Sequence, residues 1–225
     1  MKDPIGGHPT RGEQLDVLAG IVADLARPGD IVLDLGCGTG YLEHLVEQHR
    51  RDLSFVGVDR KGESLDQARA RFGDRGDFVE GDLADPDAIV LPVGRARFVV
   101  SALTFHDLAD DRKRALLEWA RDRLAADGMI LLYDRIRLAE PALFPAQQAI
   151  WRRIERVHGA AMRSADDFAA YEADLSDSNR PARLADYLAW FAELGLASQV
   201  LHLHGNVALI GAAPRRRDAA PGRAT

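Results

Sequence analysis

Residues Val32–Gly40 read VLDLGCGTG. A short apolar run meets an acid and then places glycines at positions 36, 38 and 40. A glycine-rich turn that follows a buried strand and opens a helix is the usual cradle of a nucleotide-like ligand, because bare backbone can approach it closely. The pattern is G-x-G-x-G. The dinucleotide fingerprint G-x-G-x-x-G would want glycine at position 41, where this chain has Tyr41. Asp34, two residues before the first glycine, is a poor neighbour for a pyrophosphate and suits a ligand carrying positive charge.

Around this turn, apolar runs alternate with helical periodicity. Thr10 and Glu13 have capping-box spacing and open a helix that Pro28-Gly29 closes after Ala26. Strands are expected at Ile31–Leu35, Leu53–Asp59, around Phe78-Val79, at Arg97–Leu103 and at Met129–Asp134. Helices are expected between them, from Thr39 to His49, Glu63 to Arg71 and Asp110 to Ala125. This β-α repetition predicts a parallel sheet covered on both faces. The end differs: ASQVLHLHGNVALIGA holds two apolar runs about Gly205-Asn206, a hairpin signal that predicts an antiparallel last strand. The fold class is therefore α/β, a doubly wound, mostly parallel sheet. Residues 1–135 and 181–214 form the core, with a last covering helix at Arg183–Leu194. Residues 136–180 are expected as a helical cap with helices at Phe144–His158 and Asp166–Leu175. Residues 215–225 lack periodicity and read as a tail.

Two further acids follow at strand ends. Asp59 lies about 20 residues beyond the glycines, where a carboxylate can accept both hydroxyls of a ribose. Asp82, in Gly81-Asp82-Leu83, can read an adenine edge together with a backbone amide. These signals establish an adenosine and leave open whether it belongs to NAD or to S-adenosylmethionine.

In order, VLDLGCGTG, GVDR, EGDL, VVSALTFHDL and LAADGMILLYD resemble the motif series of class I S-adenosylmethionine-dependent methyltransferases. The likeness is nearest to bacterial enzymes acting on small molecules, and it covers most of residues 30–135 and the closing hairpin. The resemblance implies a seven-stranded sheet with S-adenosyl-L-methionine as cofactor. Asp34 and the loop Gly36, Cys37, Gly38 and Gly40 would hold its aminoacyl part. Asp59 would take the ribose, and Arg60 would lie beside the adenine. Asp82 and Leu83 would bracket the adenine, and the carbonyl of Ser101 would lie near the amino group.

The acceptor side is less constrained. SALTFHDL (Ser101–Leu108) leaves the fourth strand at the carboxyl edge of the sheet, so His106 is the candidate general base and Asp107 its companion. The Asn/Asp-Pro-Pro-Tyr signature of many amino-group methylases is absent, which favours oxygen over nitrogen as the methylated atom. Arg135 to Arg163 holds six arginines and two acids. With Trp151, Arg152 and His158, this stretch is read as a pocket cover for an anionic or aromatic small-molecule acceptor.

The net charge of −6 opposes a nucleic-acid partner. A single cysteine, no run of about 18 apolar residues and no signal-like start point to the cytoplasm, with no membrane partner. No metal-ligand spacing stands out; His202 and His204 share a strand face. Two rivals remain: a non-catalytic protein that only binds the cofactor, and an NAD-dependent oxidoreductase.

Overall fold

The computed structural model describes residues 10–159, 165–176 and 179–215. Its centre is a seven-stranded sheet of order β3-β2-β1-β4-β5-β7-β6. The strands are β1 (Ile31–Leu35), β2 (Ser54–Asp59), β3 (Gly76–Glu80), β4 (Ala96–Ala102), β5 (Leu124–Arg135), β6 (Leu196–His204) and β7 (Val207–Pro214). The first five are parallel. β7 runs antiparallel to both β5 and β6. The hairpin turn falls at Gly205-Asn206, as its residue types predict; Gly205 has φ +65°. Chain order reverses direction between β1 and β4, and a crevice opens there above the strand ends.

The helices are α1 (Arg11–Leu25), α2 (Tyr41–His49), α3 (Gly62–Phe72), α4 (Asp110–Asp122), α5 (Phe144–His158), α6 (Phe168–Ala173) and α7 (Leu184–Glu193). Strand alternation divides the core in two. Leu33, Leu35, Val56 and Val58 face α4 and α7, with Leu116, Leu117, Tyr187 and Phe191. Val32, Phe55 and Phe98 face α1, α2 and α3, with Leu18, Val46 and Phe72. Burial of each such side chain contributes about 1.5–3 kcal/mol. Two of the expected boundaries shift. The helix before β5 ends at Asp122, and β5 starts at Leu124, whose side chain packs against Gly128 where a Cβ would lie 2.8 Å away. α1 starts at Arg11 after Thr10, but no side-chain cap bond forms there, so the expected capping box is absent.

Residues 136–180 carry α5 and α6 and have an apolar cluster of their own, Phe144, Trp151, Ile154 and Tyr171. The Tyr171 hydroxyl accepts from the Leu138 amide at 2.9 Å. Lys113, fully buried, ties this segment's end to the sheet edge. Its ammonium donates to Leu108 O at 2.7 Å, Asp110 Oδ1 at 2.7 Å and Arg180 O at 2.6 Å. Met162 and Arg163 of the arginine-rich stretch, and nearly all of the expected tail, lie outside the described residues. Among the described residues, no helix is long and apolar enough to cross a membrane.

Candidate active site

A cleft of about 730 Å³ lies above the carboxyl ends of β1, β2 and β4. That size suits a small cofactor with an acceptor beside it. The β1–α2 turn forms its floor. The Gly36 and Cys37 amides donate to Val58 O at 2.7 and 3.1 Å, fastening the turn to β2. The Gly38 amide donates to Asp59 Oδ2 at 2.9 Å. Gly38 has φ +53° and nothing within 4 Å of where a Cβ would sit, so bare backbone faces the cleft.

Gly40 plays a different part from the one expected. It does not line the cleft; a Cβ there would lie 2.8 Å from the Phe72 ring. Its missing side chain lets α3 pack behind the loop, and its left-handed φ of +71° starts α2.

Asp59 braces the loop as well as lining the cleft. Oδ2 takes the Gly38 amide and Oδ1 takes the Lys61 amide at 2.9 Å. Each oxygen keeps further acceptor capacity, and Asp59 lines the cleft. Arg60, Asp82 and Leu83 line the same side. Asp82 Oδ1 accepts from the Ala84 amide at 2.9 Å, an Asx turn that presents the rest of its carboxylate outward. Ser101 is not among the residues that line the cleft. It is buried, and its hydroxyl donates to Leu35 O at 2.7 Å, stitching β4 to β1. Ala102, Leu103 and Thr104, just beyond it, line the cleft instead.

Asp34 lies at the foot of the cleft. It is 2% exposed, and its Oδ1 has no hydrogen-bond partner. Burial, then the neighbouring Glu43 and Asp59, pushes its carboxyl well above the usual range. Glu43, on the inner side of α2, is buried too; burial raises it from 4.5 to about 7, against the opposing pull of Arg71. Burial and these carboxylates push the Cys37 thiol far up, so it is no nucleophile. A buried acceptor oxygen on an acid, aimed into a cleft floored by bare glycine backbone, fits a ligand with a cationic amino group. It does not fit a pyrophosphate.

His106 also lines the cleft. It is 8% exposed and lies in the short turn after β4. Its Nδ1 is 2.6 Å from Asp134 Oδ1, and its own amide donates to Asp134 Oδ2 at 2.7 Å. Asp134, at the end of β5, is 2% exposed and also accepts the Arg135 amide at 2.7 Å. A carboxylate on Nδ1 favours the tautomer whose Nε2 carries a free lone pair. The expected companion Asp107 is half-exposed, 3.5 Å from Nε2. Asp134 is thus the residue that sequence reasoning missed. Nothing in LLYDR distinguishes it from an ordinary strand-end acid; only the pairing of β4 with β5 brings it to His106.

The expected acceptor residues are not at the cleft. Trp151 is 2% exposed and packs edge-on against Phe144 at 5.7 Å. Arg152 is exposed on the outer side of α5. His158 is exposed at the helix end, 6.1 Å from the His204 ring. The helical period turns α5's aromatic residues inward to their own cluster and its arginines to solvent. The cations that do line the cleft are Arg11, Arg60, Lys61, Arg71 and Arg135.

A doubly wound sheet with an antiparallel final strand and an acid-flanked glycine turn defines a Rossmann-like architecture with its cleft at the carboxyl edge of the sheet. Comparison with known proteins agrees. The methyltransferase-domain family matches residues 32–128. The chain is 27% identical over 149 residues to carboxy-S-adenosyl-L-methionine synthase of Pseudomonas paraeruginosa, covering 62% of this chain and 57% of that one. It is 25% identical over 215 residues to the enzyme of the same name from Pseudomonas putida, covering 89% and 86%. The chain thus spans little more than half the length of several of these curated relatives. Among solved structures, an O-methyltransferase family protein from Burkholderia thailandensis aligns with a TM-score of 0.66 at 19% identity, over 91% of this chain and 56% of that one. Magnesium protoporphyrin IX methyltransferase from Synechocystis, with bound SAH, aligns with a TM-score of 0.60 at 15% identity, over 90% and 83%. The chain is thus similar to S-adenosylmethionine-dependent methyltransferases in fold, and over residues 32–128 it matches their family model.

Proposed function

We propose that the protein transfers a methyl group from S-adenosylmethionine to a hydroxyl of a small-molecule acceptor. The observation that carries this reading is the His106–Asp134 pair, whose His106 lines the same cleft as the glycine loop. The cofactor, when bound, supplies an electrophilic methyl group on a positively charged sulfur. Asp34 and the Gly38 backbone would hold its aminoacyl end, Asp59 would take the ribose hydroxyls, and Asp82 with Leu83 would lie against the base. His106 Nε2 takes the acceptor's proton. Asp134 fixes the ring and stabilises the imidazolium that forms, as a buried carboxylate does for a base it orients. Methyl transfer otherwise depends on alignment, with the reacting atoms held about 3–3.5 Å apart.

Two measurements test this reading. S-Adenosylhomocysteine should bind, and NADH should not. In a screen of hydroxylated acceptors followed by product mass, His106→Gln should lower kcat by about 10²–10⁴-fold and leave S-adenosylhomocysteine affinity unchanged. A His106→Gln protein as active as wild type would remove the base. A protein that binds the cofactor and modifies no acceptor would be the non-catalytic alternative.

A second reading places a carboxyl group on the cofactor itself, as the names of the curated relatives state for those proteins. Arg135 favours it, as a cation that follows Asp134 and lines the cleft beside His106. The mass of the cofactor released from purified protein separates the two readings.

A further inference from the structure

The cofactor-facing acid of the glycine loop is not alone. Strand alternation places Asp34 on the face of β1 that also carries Val32, toward α1, α2 and α3. Glu43 comes from the buried side of α2, among Leu42, Leu45 and Val46. The two carboxyl groups are 2% and 1% exposed. Asp34 Oδ1 and both oxygens of Glu43 have no hydrogen-bond partner. Two carboxylates cannot both stay ionised out of water beside one another; holding one proton between them relieves both the desolvation and the repulsion. The charged and titratable groups that face the pair are Asp59 from β2, Cys37 from the turn and Arg71 from α3. Arg11 of α1 lines the same cleft. Arg71 is the nearby cation that keeps one negative charge acceptable; its guanidinium is 3.4 Å from Gly40 O.

We infer that Asp34 and Glu43 share one proton in the free protein and release it when the cofactor's ammonium group docks on Asp34. Glu43 is then a positioning residue for cofactor capture. This rests on the cofactor-binding reading above. The charge balance is simple. The free pair carries one proton and one negative charge. In the complex the proton has gone to solvent and an ammonium group has taken its place, so the pair and the ammonium together carry the same single negative charge that the free pair carried. The exchange spares the site from burying a second uncompensated negative charge, and it ties affinity to pH. Below the range in which the pair ionises, affinity rises roughly tenfold per pH unit, because one proton must leave for each ligand bound.

The test is calorimetry at pH 6 to 8 in two buffers of different ionisation enthalpy, which counts the protons exchanged. S-Adenosylhomocysteine should release up to roughly one proton per site at the acid end of the range, declining toward pH 8. 5′-Methylthioadenosine, which keeps the adenosine and thioether but lacks the ammonium, should release none. Glu43→Gln should bind S-adenosylhomocysteine with little or no proton release, since an amide can donate to Asp34 and leave it ionised beforehand. If that variant fails to fold, the comparison of the two ligands on the wild-type protein still decides. Equal release with both ligands, no release with S-adenosylhomocysteine, or undiminished release in a folded Glu43→Gln protein would overturn the shared proton while leaving the cofactor assignment intact. No binding of S-adenosylhomocysteine at all would overturn both.

Discussion

Replacing Asp134 by asparagine is the sharpest perturbation of the proposed base. The Asp134 carboxylate accepts from three donors: the His106 amide at 2.7 Å, His106 Nδ1 at 2.6 Å and the Arg135 amide at 2.7 Å. An asparagine offers one acceptor oxygen. With that oxygen in the Oδ1 position it serves Nδ1 and Arg135, and its NH2 meets the His106 amide donor to donor. Flipped, it satisfies the His106 amide, but its NH2 meets the Arg135 amide and forces Nδ1 to accept. The proton then moves to Nε2, the nitrogen the base needs free. Either way one buried donor loses its acceptor, a cost of about 1–3 kcal/mol. For a chain of this size that corresponds to a fall in Tm of about 2–12 °C. Thermal unfolding of wild type, Asp134→Asn and Asp107→Asn measures the cost. Asp107 is half-exposed and 3.5 Å from Nε2, so its variant should stay close to wild type. Nitrogen NMR of the imidazole should show the Nδ1–H tautomer in the wild-type protein. An Asp134→Asn protein as stable as wild type, with its tautomer unchanged, would refute the argument that Asp134 orients the ring.

Other expectations follow from the same geometry. Gly40→Ala should destabilise the fold and weaken S-adenosylhomocysteine binding together, because the new Cβ would lie 2.8 Å from Phe72 at a φ of +71°; urea unfolding measures the first effect. Asp59→Ala should raise the S-adenosylhomocysteine Kd by roughly 10–100-fold in calorimetry, because it removes the ribose acceptor and frees the Gly38 amide that the carboxylate now holds. Lys113→Met should cost about 2–4 kcal/mol in unfolding free energy, because Leu108 O, Arg180 O and Asp110 lose a buried cationic donor. Glu43 titrates at about 7 in the folded protein against an ordinary 4.5, so the folded state holds the extra proton. Its contribution to stability is therefore full below about pH 4.5 and is lost as pH rises toward 7. Unfolding free energies across that range should decline less in Glu43→Gln than in wild type.

That the glycine turn and the strand-end acids line one cleft was readable in the linear sequence because these features are local. A strand, an acid and a glycine turn lie within nine residues from Val32 to Gly40, and Asp59 and Asp82 close the next two strands. The fold was readable for a similar reason: buried parallel strands announce themselves as short apolar runs. What escaped depends on packing between distant segments. Asp134 meets His106 across 28 residues, through the register of β4 and β5. Glu43 sits at the margin of an apolar stripe and looks like a solvated helix residue; α2 is packed between the sheet and α1, so its flank is buried too. Trp151, Arg152 and His158 drew attention as an aromatic and basic group, but composition does not say which side of a helix meets the ligand. Gly40 matched the motif by position, while its neighbour Phe72 lies thirty-two residues away in sequence.

The central claim is that buried acids and a bare-backbone turn hold an adenosine joined to a cationic amino acid. Titration calorimetry of the full chain with S-adenosylhomocysteine, beside NADH, tests it most directly. Saturable one-to-one heat with the first ligand and none with the second is the predicted result. Saturable binding of NADH, with S-adenosylhomocysteine silent on folded protein, would contradict it.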